Sequence, residues 1–338
     1  MHRDDNRNFA LKAESLVKPE DVTPISFLGD FNRILPPKAQ ETNMRRGSMM
    51  VPYMGFIVDP YCFFLAYEIK DRGAAAAMLP TGYELADARV FKDGPARPLV
   101  VVGAFAIRTS AFIGTRLEFY VIARRRDTGR LSWIIAGYET NTSTYDPKNH
   151  FSGYSADPGV LTTTPYGEVV ASFRNKKSGS SFFATADLAR GAWKDLDREL
   201  WVDGNWSIDY GGALKVEPSA PFSLLFDPEM MNRALEMPED SVTVRENGYF
   251  ADIIDGTRPL CAAVFPYSQH FVIKQDLEPG TVTDETRLGE LVREFLDDSS
   301  FKRMSGDDLK KPIIAGLLVS GAITYGIIIA LALALILR

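Results

Sequence analysis

Arg116, Glu118 and Glu139 sit on one strand–turn–strand pattern, and Lys148 and His150 follow in the polar stretch that leaves it. These residue types could do carbonyl chemistry together. A lysine beside another cation, or in a desolvated pocket, loses its proton nearer neutrality and can attack a carbonyl to form a Schiff base. Glu118 or Glu139 would then shuttle protons, and the Arg116 guanidinium would hold a substrate carboxylate. The same residues also read as a structural Arg116–Glu118 pair beside a solvated turn lysine, and the sequence leaves both readings open. Other signatures are missing: there is no Walker loop, GxGxxG, HExxH, CxxC or GxSxG,. His2, His150 and His270 are too few and too scattered for a metal site, so neither metal nor cofactor is expected,.

The element that must position these groups is a hairpin. TRLEFYVIARRR (115–126) and RLSWIIAGYE (130–139) alternate as strands and flank Asp127-Thr128-Gly129, a three-residue loop ending in glycine,. Pairing Arg126 with Arg130 puts Leu117, Phe119, Val121 and Ala123 on one face with Trp133 and Ile135. Arg116, Glu118, Tyr120 and Tyr138 then share the other face. Around the hairpin the chain reads as β-rich. Strands are expected from Met49 onward, broken at Asp59-Pro60, and again over PLVVVGAFAI (98–107),. Further strands are expected over VLTTTPYGEVVASFRN (160–175) and SGSSFFATADL (178–188), and a late pair over 260–273. DRGAAAAM (71–78) predicts a short helix. Asp227-Pro228 predicts the start of another, over PEMMNRALEM (228–237), and TDETRLGELVREF (283–295) reads as amphipathic,.

The last stretch decides where this chain works. Ile313 to Leu337 is free of charge and, at about 1.5 Å per helical residue, spans roughly 37 Å, enough for a hydrocarbon core of about 30 Å. The start, MHRDDNRN, has no secretory character, so the expectation is a tail anchor,. Lys302, Arg303, Lys310 and Lys311 precede the span and only Arg338 follows it. That bias predicts a single-pass protein of the bacterial inner (cytoplasmic) membrane with its soluble part on the cytoplasmic side,. Small residues recur within the span, Gly316, Ser320 and Thr324 on one stripe and Ala322, Gly326 and Ala330 on another, a spacing that lets a second helix approach closely,. The expected partners are therefore lipid and integral membrane subunits.

Composition fits a large globular part. The chain has 338 residues, 46% hydrophobic and 24% charged, with a net charge of −6. That acidic balance argues against a nucleic-acid partner. Two cysteines about 200 residues apart, Cys62 and Cys261, read as buried free thiols,. The organisation predicted is an extended arm (1–48), a β-rich domain (49–276), an amphipathic helix with a polar linker (277–311) and a membrane anchor (312–338).

The run LPTGYELADARVF, PLVVVGAFAI and RLEFYVIARRRDTGRLSWIIAGYETNT resembles the acetoacetate decarboxylase-like superfamily over about residues 49–276. The resemblance implies an α+β, β-dominated fold with an antiparallel, barrel-like core. It further implies a Schiff-base lysine, carried in that family by a glycine-phenylalanine-proline-lysine-lysine run. Here the counterpart is Asp146-Pro147-Lys148-Asn149, which keeps one lysine and lacks the second. Two functions follow as expectations. One is a non-catalytic accessory subunit bracing a larger membrane complex. The other is a membrane-tethered decarboxylase or lyase acting on a small β-keto acid through Lys148.

Overall fold

The computed structural model describes residues 53–57, 62–109, 113–141, 155–215, 221–226, 231–266, 269–273 and 306–336, with isolated positions elsewhere. Apart from such positions, the predicted arm over 1–48, the amphipathic stretch over 283–295 and the segment with Lys148 and His150 lie outside the described residues. In chain order the strands are β1 (Tyr53–Ile57), β2 (Cys62–Glu68), β3 (Tyr83–Leu85), β4 (Asp87–Ala88), β5 (Arg97–Thr109), β6 (Ile113–Arg125), β7 (Leu131–Thr140), β8 (Ala156–Thr163) and β9 (Glu168–Asn175). They continue with β10 (Ser181–Asp187), β11 (Ala192–Asp195), β12 (Ile208–Tyr210), β13 (Leu225–Phe226), β14 (Arg233–Met237), β15 (Val242–Asn247), β16 (Cys261–Phe265) and β17 (Gln269–Ile273). The helices are α1 (Arg72–Ala77) and α2 (Gly306–Ile336).

β5 is the spine of the larger sheet. Its Val-rich run is buried on both faces, as the β-branched composition requires. Leu99, Val101, Phe105 and Ile107 enter one core, and Val100, Val102 and Ala104 enter the other. β2 divides in the same way, with Cys62, Phe64 and Ala66 against Phe63, Leu65 and Tyr67. One edge of β5 is shared by β2 and then β1, and the opposite edge is taken by β6, which leads on to β7 and the parallel β12. A second sheet, ordered β15-β10-β9-β8, covers one of the two cores with Val169, Ala171, Phe173, Phe182 and Ala184. α1 starts where Asp71 accepts a hydrogen bond from Ala74 N at 2.9 Å,.

The β-dominated α+β class is as expected, but the barrel-like core is corrected. Among the described residues the larger sheet stays open, its main path ending at β11 and β13 while β6, β7 and β12 branch away at β5. A strand whose one edge serves two successive partners diverts the sheet into two directions, and β12, with three residues, is too short to complete a ring,. The helix expected over 228–237 is also corrected. Residues 233–237 form β14, because Leu235, Glu236 and Met237 pair with β16 and their other edge takes β11. Sheet pairing here overrides the helical propensity of Ala, Leu, Glu and Met. β16 and β17 follow one another but do not pair: β16 lies on β2, and β17 on β1.

α2 carries 31 residues. Over Ile314–Ile336 none of it is buried against the rest of the protein, and its large apolar side chains are all more than half exposed. It is one helix long and apolar enough to cross a membrane.

Candidate functional site

The hairpin exists, with a loop one residue longer than its sequence suggests. Arg125 N donates to Arg130 O at 2.8 Å and Gly129 N to Arg125 O at 2.8 Å, so the turn is Arg126 to Gly129. Gly129 takes φ +66, the left-handed conformation in which a Cβ would be strained,. Ile122 therefore faces Trp133 and Tyr120 faces Ile135, putting both residues of β7 on the face opposite to the one expected. A bulge then reverses the displacement. Between Tyr120 and Phe119 the register shifts, leaving Ala136 as the extra residue, and beyond it Glu118 pairs with Tyr138 and Leu117 with Glu139,. Gly211 and Gly212 pack against that bulge. Gly212 has φ +53, and a Cβ there would stand 2.5 Å from Ala136 O.

The bulge sorts the candidate residues. Arg116, Glu118, Tyr120 and Tyr138 share one face, as expected from the sequence. Arg116 Nε stands 2.6 Å from Glu118 Oε1, and the Tyr120 hydroxyl donates to Glu118 Oε2. The Arg116 guanidinium lies over the Tyr138 ring, 4.6 Å from its centroid. Both charged residues are buried, Arg116 at 8% and Glu118 at 7% exposure. Burial alone would lower the Arg116 pKa, but the Glu118 carboxylate and the surrounding phenols outweigh it and hold the guanidinium above its ordinary value,. Burial, and after it the Glu118 charge, push the Tyr120 phenol well up, and the same two causes act on the Cys62 thiol.

Beside this dyad the face is filled with rings. Gly103, opposite Glu118 on β5, leaves room for Phe64, whose ring would come within 2.5 Å of a Cβ at that position. Phe64 meets Trp201 at 5.0 Å, Phe265 at 5.7 Å and Trp133 at 6.3 Å, and Tyr120 meets Trp133 edge-on at 4.9 Å,.

Glu139 is on the other face of the sheet. Both of its carboxylate oxygens accept from Asn175 Nδ2 of β9, at 2.8 and 2.9 Å, and it is 5% exposed. The Tyr249 hydroxyl donates to Ser180 O at 3.3 Å. The structure thus brings Arg116 and Glu118 together and separates Glu139 from both. Lys148 lies outside the described residues. Tyr120 is visible to the alternation, but nothing in the sequence marks it as a ligand of Glu118. Asn175 is far from Glu139 in the chain, and no local pattern points to it. Among the described residues no group of three or more His, Cys, Asp or Glu could hold a metal ion.

No protein-family model matches this chain, and no curated protein matches it. Its fold is similar to acetoacetate decarboxylase-like structures. Against an acetoacetate decarboxylase from Legionella pneumophila the TM-score is 0.45 at 13% identity, covering 67% of this chain and 88% of that one. Against the enduracididine biosynthesis enzyme MppR complexed with pyruvate it is 0.40 at 11% identity, covering 67% and 90%. A further acetoacetate decarboxylase gives 0.39 at 12% identity, covering 67% and 87%. At these identities the likeness is one of fold alone.

Proposed function

We propose that this chain is a membrane-anchored, non-catalytic accessory subunit: its β-rich part, on the cytoplasmic side of an inner membrane, braces a larger assembly to which α2 contributes. The observation that carries the reading is how the candidate acid–base groups are disposed. Glu118 has the Arg116 guanidinium paired against one oxygen and the Tyr120 hydroxyl donating to the other, and Glu139 is held by Asn175 on the far side of the sheet. A proton shuttle at Glu118 would have to dissolve a buried ion pair, leaving an uncompensated guanidinium in the core. A clamp at Arg116 and a base at Glu139 cannot meet one small substrate with a sheet between them.

The anchor supports the same reading. A helix with apolar side chains all round and no protein packed on Ile314–Ile336 needs lipid or other helices around it,. Gly316, Ser320 and Thr324, with Ala322, Gly326 and Ala330, are the positions at which a neighbouring helix would approach. The Thr324 hydroxyl bonds back to Ser320 O at 2.9 Å, so that hydroxyl is satisfied within the helix and not left bare to lipid,. Extraction in a mild detergent followed by size analysis tests the proposal. A co-migrating assembly much larger than the detergent-bound 37.5 kDa chain is expected, and a lone chain would overturn it.

A further inference from the structure

Tyr325 stands at the centre of the uncharged stretch Ile313–Leu337, twelve residues from either end. At about 1.5 Å per residue that is roughly 18 Å of hydrocarbon on each side. A phenol does not reach from there to the headgroup level, where tyrosine is enriched. Its side chain is 71% exposed, and none of Ile314–Ile336 is buried against the rest of the protein. The neighbouring hydroxyl is better placed, since Thr324 donates to Ser320 O at 2.9 Å. The Tyr325 ring carries its own hydroxyl too far from the helix for such a back-bond. A hydroxyl left without a partner in hydrocarbon is costly, so its acceptor has to come from another helix.

What lies beside Tyr325 indicates which helix. Gly321, one turn earlier, is on the same face,. A Cβ added there would meet nothing within 4 Å, so the glycine is a hole in the helix surface that leaves backbone oxygens bare,. Long side chains of a helix lean toward its N-terminus, which carries the phenol over the level of Gly321. Knob, hole and acceptor thus share one face, one turn apart, and a face of that kind is complementary to itself. In a parallel pair related by a two-fold axis along the membrane normal, each Tyr325 falls at the level of Gly321 in the other copy. Copies inserted in the same sense are parallel, as that pairing requires.

We propose that α2 pairs with a second copy of itself through the Tyr325–Gly321 face, each phenol donating to a backbone oxygen bared at Gly321 of the other helix. The proposal rests on α2 lying in lipid, and it leaves Gly316, half a turn round from Tyr325, for a different helix,. The test uses the purified full-length chain alone in mild-detergent micelles, followed by sedimentation as the ratio of protein to detergent is varied. The expected result is a reversible pair. Tyr325→Phe keeps the ring and removes the donor, and is expected to weaken pairing about threefold. Gly321→Leu fills the hole and is expected to weaken it at least tenfold. Ile323→Phe adds bulk on the far side of the helix and should pair as the unaltered chain does,. A single chain at every ratio, undiminished pairing by both Tyr325→Phe and Gly321→Leu, or equal loss in Ile323→Phe and Gly321→Leu would each overturn the proposal. An alkaline carbonate wash separates the two levels of the reading. Failure to pair by a chain that stays with the membrane fraction overturns the pairing alone, whereas release of the unaltered chain removes the span and the pairing with it.

Discussion

Arg116 and Glu118 are two residues apart on β6, on one face, with Arg116 Nε 2.6 Å from Glu118 Oε1 and neither residue more than 8% exposed. A strand places i and i+2 side by side on the same face, which makes this pair local in sequence as well as in space. Buried charges of this kind are costly to separate but not costly to remove together. Glu118→Gln is expected to lower the unfolding free energy by about 3 kcal/mol or more, because it leaves the guanidinium buried without its counterion. The double replacement Arg116→Met with Glu118→Leu should recover most of that loss. Denaturant unfolding of the singles and the double gives the coupling directly, and a double variant as unstable as the sum of its singles would contradict it.

Gly103 is where the aromatic filling meets the dyad. A methyl group added there would stand only 2.5 Å from Phe64 Cε1, so Gly103→Ala must push the Phe64 ring against Trp201 and Phe265. Overpacking of this sort costs about 1–3 kcal/mol. A thermal melt showing Gly103→Ala as stable as the unaltered protein would mean that the ring has room to move.

Cys261 sets an alkaline limit. Burial, with the Glu236 carboxylate after it, pushes the Cys261 thiol from its ordinary 9.0 to about 12. Between those two values the unfolded chain has given up this proton and the folded chain keeps it. The folded state binds more protons, so stability falls as pH rises from 9 towards 12,. Cys62, raised for the same first reason, adds to the slope. Cys261→Ala should flatten the decline of unfolding free energy across that range, and an unchanged slope would exclude the thiol as its source.

Much of the hairpin is legible in its residues. The alternation of RLEFYVIARRR fixes which groups share a face, and it puts Arg116, Glu118, Tyr120 and Tyr138 together. What it cannot carry is the bulge at Ala136. A four-residue turn and an extra residue displace the register in opposite senses, so the end of the hairpin with the charged residues agrees with the alternation and the end with Trp133 is reversed. The segment 233–237 departs from expectation for another reason: its composition suits a helix, and only the edges offered by β11 and β16 make it a strand. Asn175 reaches Glu139 from β9, a contact made by the packing of two sheets and carried by no local spacing.

The apolar helix gives a prediction about the whole chain. Full-length protein should stay with the membrane fraction through an alkaline carbonate wash, and removal of 306–338 should release the remainder to the aqueous fraction. Full-length protein washed off by carbonate would show that α2 does not span lipid.

The most direct test of a non-catalytic reading is chemical trapping. Borohydride reduction of the full-length protein in the presence of a β-keto acid, followed by peptide mass analysis, would capture any Schiff base on Lys148. A non-catalytic subunit should yield no reduced adduct on that lysine. An adduct there, formed only with the keto acid present, would contradict that role and restore the chain to enzyme chemistry.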